Sequence, residues 1–174
     1  MLKVLFLSRG DWAGTGYFTM SAINSIGRIQ CRQLTFYPHI YKYPTDILIP
    51  KCFLAEPVSY PPEVEAEARR ILDEADLIHI FNDEIPSFEG VIDFDTSKVK
   101  SYTFSGSYYR DRPGHAIVNA RMKELGARLV VQNPTYFWPE ETVGLHVEYI
   151  PHAIDLERFN PCLPKEEGNI GCYD

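Results

Sequence analysis

The sequence has little that would tie it to an oxidising compartment, a membrane or a nucleic acid. Its four cysteines, Cys31, Cys52, Cys162 and Cys172, include no C-x-x-C pair. No histidine pair completes a zinc pattern either, so no metal site is expected. Reduced thiols are the natural state of such cysteines in the cytoplasm. No apolar run approaches the ~18–20 residues of a membrane span. The opening MLKVLFLSRGD lacks the long apolar core and small-residue cleavage site of a signal peptide. A cytoplasmic protein that does not span a membrane is the expectation. Positive charge is in deficit, with 17 Lys and Arg against 24 Asp and Glu and a net charge of −7. That balance argues against a general electrostatic grip on nucleic acid or anionic lipid. It leaves room for a local basic site.

What is present is a series of short apolar runs separated by helical patterns. Val4–Leu7 is continuously apolar and of strand length, as suits a strand buried on both faces. The loop Ser8–Gly16 follows. Phe18, Ala22, Ile26 and Ile29 then recur at helical spacing, with Gly27 as a stop signal. Gln33–Tyr37 reads as a second strand. Pro38–Pro61, rich in Pro and Tyr, reads as a long loop with a short strand at Asp46–Ile49. Pro62 opens a helix whose apolar face is Val64, Ala68, Ile71, Leu72 and Ala75, with glutamates early and arginines later, as the helix dipole favours. Asp76–Phe81, Val99–Phe104, Arg128–Gln132 and His146–Ile150 are further strands. Ile117, Val118, Met122 and Leu125 stripe a helix that Gly126 ends. Strands alternating with helices predict a Rossmann-like, doubly wound α/β fold with a mostly parallel sheet and helices on both faces. Residues 1–160 form this domain. Residues 161–174 change character: NPCLPKEEGN is linker-like, and NIGCYD reads as the first strand of a further domain.

In open parallel sheets ligands bind beyond the carboxyl ends of the strands, so the loops there carry the functional signal. The first, SRGDWAGTG, has Gly10, Gly14 and Gly16, a spacing that fits neither G-x-G-x-x-G nor a Walker loop. No carboxylate ends the second strand to hold a ribose. The loop therefore either presents a helix N-terminus to an anion or close ligand through Gly14, Thr15 and Gly16, or needs its glycines for backbone reasons alone. After the strand 76–81 come Asn82, Asp83 and Glu84. Asn82 is placed to hold hydroxyls and Asp83 is a candidate acid–base group, against the alternative of solvated loop acids. His79, inside that strand, reads as a buried, hydrogen-bonded histidine. SGSYYRDR, residues 105–112, is the densest polar cluster. Gly106 permits close approach, Ser105 and Ser107 offer hydroxyls, and Arg110 and Arg112 offer forks for phosphate or carboxylate. Tyr108 and Tyr109 supply aromatic packing. Tyr136, Phe137 and Trp138 suit packing against a helix better than stacking on a sugar or base.

Taken in order, these segments resemble the N-terminal domain of GT-B fold glycosyltransferases of the family-4 type. EYIPHAIDLERFNP is similar to the IPNGVDLERFxP segment that closes that domain. The opening strand, glycine loop and helix resemble its start, EADLIHIFND its DVVHxHN strand, and YTFSGSYYR its xxTxHGxYxR strand and loop. The resemblance implies an acceptor-binding half facing a donor-binding half, the C-terminal domain, across a cleft. It implies transfer of a hexosyl group, with retention, from a UDP- or GDP-hexose to a small-molecule, glycan or other hydroxyl acceptor. No metal and no tightly bound cofactor are implied. By position, Gly14–Gly16 form the loop that approaches the donor. Ser105 takes the place of the histidine of the HG pair near the transferred sugar. With Asp83 it is the catalytic candidate. Asn82, Gly106, Ser107, Tyr109 and Arg110 complete the cleft. Ser105 and His152–Ala153 depart from the family's His and Asn-Gly. Without a donor half the chain is expected to be inactive. The competing expectations are a non-catalytic Rossmann-like binding or interaction module and the acceptor subunit of a split glycosyltransferase.

Overall fold

The structure, a computed structural model, describes residues 1–11, 14–38, 44–49, 61–81, 88, 92–104, 112–131 and 143–150. Among them are seven strands: β1 (Leu2–Ser8), β2 (Ile29–Thr35), β3 (Ile47–Leu48), β4 (Leu77–Phe81), β5 (Val99–Phe104), β6 (Arg128–Val131) and β7 (Val147–Tyr149). The helices are α1 (Thr15–Ser25), α2 (Pro62–Glu74) and α3 (Arg112–Glu124). The strands form one sheet in the order β3-β2-β1-β4-β5-β6-β7, and every pair is parallel. This is the Rossmann-like, doubly wound α/β arrangement that the strand–helix alternation predicts.

Alternation along β1 sorts its side chains between two cores. Leu5 and Leu7 join Leu34, Ile78, Ile80, Tyr102 and Leu129 on one face, under Ala68, Ile71 and Leu72 of α2 and Val118 and Met122 of α3. Phe6 faces the other way, packed with Met20 of α1 and Cys31, and Val4, Tyr17 and Ile23 lie alongside. Helices thus lie on both faces of the sheet. Strands in such sheets read as largely apolar runs, as β1 and β4 do.

The helix α2 begins with Pro62 in its first turn and Glu63 and Glu65 near its N-terminus. Proline gives up no hydrogen bond there, and the acids meet the positive end of the dipole. Its expected apolar face is buried at Ala68, Ile71 and Leu72. Arg70 bridges Glu67 and Glu74 on the exposed side. Gly27 and Gly126, both with positive φ, follow α1 and α3, as their stop signals predict.

Two sequence expectations are corrected. The buried side of α1 is Gly16 and Met20, with Ile23 packed nearby, not the stripe Phe18, Ala22, Ile26 and Ile29. Ile26 is exposed and Ile29 opens β2. The rotation follows from the docking of the first turn against β2, which brings Gly16 to the sheet. Strand β2 also begins four residues earlier than Gln33–Tyr37. Leu2 to Ser8 pair with Ile29 to Thr35 along the whole length of β1. The polar residues Gln30 and Arg32 disguise that start. Arg32 is held at the sheet edge by Asp46 and Glu67.

Beside α1, the same face of the sheet carries an apolar groove of about 860 Å³ running over β1 and β4–β7. Val4, Phe6, Ile23, Leu77, Val130 and Ile150 line it, with His79, Ser101 and Thr103 among them. No described helix but α1 lies on that face. The right-handed crossovers through α2 and α3 put those two helices on the opposite side.

Candidate functional site

The order of the strands reverses between β1 and β4, which places the topological switch point at their carboxyl ends. On the β1 side the edge is formed by Ser8 to Asp11, Gly14 and the first turn of α1. The β4 side ends at Phe81, and Asn82 and Asp83 beyond it lie outside the described residues. Ser105, Gly106, Ser107, Tyr109 and Arg110, which follow β5, lie outside them as well. So do Trp12, the aromatic cluster 136–138, and residues 151–174. Of the expected site, the structure describes Gly14, Thr15 and Gly16.

The loop is shaped by a buried carboxylate. Asp11 is only 5% exposed. Its Oδ1 accepts the Gly16 N–H at 3.1 Å. Its Oδ2 accepts the Tyr17 N–H at 2.8 Å and the Gln33 side-chain amide at 3.0 Å. Asp11 therefore satisfies two of the unpaired amides of the first turn and sets a negative charge against the positive end of the helix. The Asp11 carbonyl also accepts the Gly14 N–H at 3.1 Å, and Gly14 in turn accepts the Phe18 N–H at 3.0 Å. A second tie, from the Phe36 N–H to the Arg9 carbonyl at 3.0 Å, fastens the loop to the end of β2.

Each glycine now has a backbone or packing reason. Gly14 is the N-cap residue with φ 68° and ψ 5°, the left-handed conformation that side chains disfavour. A Cβ on Gly16 would lie 2.8 Å from Gln33 Nε2 and 3.2 Å from Asp11 Oδ2. Of the two alternatives left open by the sequence, internal necessity accounts for both positions. The first turn still presents Thr15, half-buried, at the sheet edge.

Sequence reasoning missed Asp11, Gln33 and Ser8. The side chains of β1 and β2 that face α1 are Phe6 and Ser8, and Cys31, Gln33 and Thr35, by alternation. Ser8 and Thr35 are register partners, and both are 1% exposed. Thr35 Oγ1 shares a hydrogen bond of 2.9 Å with Thr45. Gln33 is fully buried. Gln33 Oε1 and Ser8 Oγ have no hydrogen-bond partner among the described residues. The available signal was the polar content of the ends of β1 and β2, LS and QLT, in otherwise apolar runs.

His79 is buried as expected, with Nδ1 2.8 Å from Ser101 Oγ. Its ring lies 4.7 Å from that of Phe6. Burial pushes its pKa down to about 3, so it is neutral at physiological pH. Among the described residues no cluster of His, Cys, Asp and Glu has the makings of a metal site. No described helix is long and apolar enough to cross a membrane.

No protein-family model, no curated protein and no solved structure matches the chain.

Proposed function

We propose that this chain is the acceptor-side half of a GT-B type glycosyltransferase, transferring a hexosyl group from a UDP- or GDP-hexose to a hydroxyl acceptor with retention. The observation that carries the reading is the β1/β4 switch point of an all-parallel sheet, with the first turn of α1 beside it. Ligands of open α/β sheets bind at such a point. The motif series of the sequence supports it, because the segments occur in the family's order along the chain. In this reading Asp11, Gly14 and Gly16 stand in one wall of the cleft. Asn82, Asp83 and the segment Ser105–Arg110 follow β4 and β5, whose ends share that edge. Ser105 and Asp83 would face the reacting sugar. The donor's diphosphate would be held by the partner half, not by this chain.

One observation favours a second reading, a Rossmann-like binding module without catalysis. Asp11 already occupies amides that a phosphate would use at the α1 N-terminus. The two readings separate on turnover. The chain, combined with a donor-side half, is assayed for nucleotide release from UDP- and GDP-hexoses with hydroxyl acceptors present. Release that needs both halves supports the transferase. Binding of small ligands without release of nucleotide from any donor supports the module.

A further inference from the structure

We propose that the groove beside α1 is the interface of a symmetric dimer, in which the α1 helix of a second copy of this chain lies over β4 and β5. The inference is independent of the sugar-transfer reading. The surface there is apolar and open. Val4, Phe6, Leu77 and Val130 line its floor, and Ile23 and Ile26 of α1 its wall. Three of its lining residues are large apolar side chains well exposed to water: Leu2 at 45%, Ile26 at 67% and Ile150 at 48%. A contiguous apolar surface of this kind marks an interaction site. The groove holds about 860 Å³ and is flanked by α1, so a second helix packed beside α1 at the usual ~8–10 Å would fill it.

Charge selects the helix. α1, TGYFTMSAINS, has no charged residue. The charged residues of the groove, Lys100, Arg128 and Glu148, stand on β5–β7, away from α1, and Arg128 pairs with Glu148 at 2.6 Å. The part of the groove next to α1 therefore offers a charged helix no counter-ion and accepts an uncharged one. Among the described helices only α1 qualifies. α2 carries Arg70 between Glu67 and Glu74 on its exposed side, and α3 ends in Arg121, Lys123 and Glu124. α1 also has the second apolar side that such a contact needs. Met20 faces its own sheet. Phe18 and Ala22 are each two residues from Met20, about 200° round a helix of 3.6 residues per turn, and so lie on the opposite side. Ala22 is exposed and Phe18 half-buried. With a two-fold axis between the paired helices, each α1 is sandwiched between two sheets, Met20 against its own and Phe18 and Ala22 against the other. A two-fold interface pairs a surface with itself, and this one face supplies both the helix and the groove. The floor runs over five strands, β1 and β4–β7. At ~4.8 Å per strand, with α1 adding a cylinder about 10 Å wide and about 16 Å long, the grooved surface is of the order of the ~800 Å² that each partner gives to a stable dimer.

The test is the mass of the 174-residue chain by sedimentation equilibrium, from micromolar to near-millimolar concentration. A monomer–dimer equilibrium is expected. Ile26→Glu and Ala22→Glu place a carboxylate on an exposed side of α1 that the dimer buries without a partner. Each should raise the dissociation constant about tenfold or more. Val143→Glu, at a similarly exposed apolar residue outside the groove, should leave it unchanged. Unchanged thermal unfolding of the dilute variants verifies their fold. On dilution of the isotope-labelled native chain, the amide shifts of Ala22, Ile26, Leu77 and Thr103 should move together, while Ala68 of α2, on the opposite face, stays in place. The proposal is overturned if the chain is monomeric throughout, if both α1 variants dimerise as the native chain does, or if dilution moves Ala68 and leaves Ala22 and Ile26 unmoved. A monomer that Ile26→Glu destabilises would show instead that the groove is filled from within the same chain.

Discussion

The side-chain amide of Gln33 is wedged between Asp11 and the first turn of α1. It donates to Asp11 Oδ2 at 3.0 Å and stands 2.8 Å from the place a Cβ on Gly16 would take. One contact from β2 therefore sets both the loop and the angle at which α1 meets the sheet.

Gly16→Ala should destabilise the chain by about 1–3 kcal/mol, the usual cost of forcing a methyl group into a packed site. Truncating the obstacle should lessen that cost. In a Gln33→Ala background the same Gly16→Ala change should cost less, by a coupling of about 0.5–3 kcal/mol. Urea unfolding of the four members of the cycle measures it. Equal costs in the two backgrounds would show that Gln33 is not what keeps residue 16 bare.

His79 predicts a dependence on pH. Its folded pKa is pushed down to about 3 from an ordinary 6.5 by burial. Between those values the unfolded chain binds a proton that the folded chain does not. Stability therefore falls as the pH drops through 6.5 towards 3. The contribution of this single group has a slope of about 1.4 kcal/mol per pH unit in the middle of that window. His79→Asn removes the group, so the difference in unfolding free energy between native and variant should shrink steadily from pH 7 to pH 4. A constant difference across that range would contradict the buried neutral state.

Cys31 should be chemically silent. It is 1% exposed, and burial, with a smaller contribution from the Asp46 carboxylate, pushes its thiol up to about 12. Thiolate is the reactive form. Peptide mapping after iodoacetamide at pH 8 should find Cys31 unmodified in the folded chain and fully modified in urea. Labelling of the folded chain at the rate of a free thiol would place it elsewhere.

Much of the architecture was legible because burial on two faces writes itself into composition. The runs LKVLFL and LIHIF could be little else than central strands, and the stripe of Val64, Ala68, Ile71 and Leu72 sits on the buried face of α2. The limits were local. The Phe18–Ala22–Ile26 stripe of α1 obeyed helical periodicity and still pointed the wrong way. What turns this helix is the Asp11–Gly16–Gln33 contact, made across 22 residues of sequence. Gln30 and Arg32 hid the start of β2 because an edge-facing arginine paired with Asp46 satisfies the strand without apolar content. In the site, the glycines announced themselves and their cause did not. Asp11 reads as an ordinary loop acid, and only the fold brings Gln33 to it.

The most direct test of the account is nucleotide release from UDP- and GDP-hexoses by the chain joined to a donor-side half, compared with the same enzyme carrying Gly14→Val. Residue 14 adopts the left-handed conformation at φ 68°, where a β-branched side chain is strained. The substitution should disturb the cleft wall at its base. The account predicts release by the native enzyme with at least one donor, and a loss of about tenfold or more in the variant, since small displacements of a positioning loop cost that much. Absence of release with every donor, or a variant that turns over as fast as the native enzyme, would contradict it.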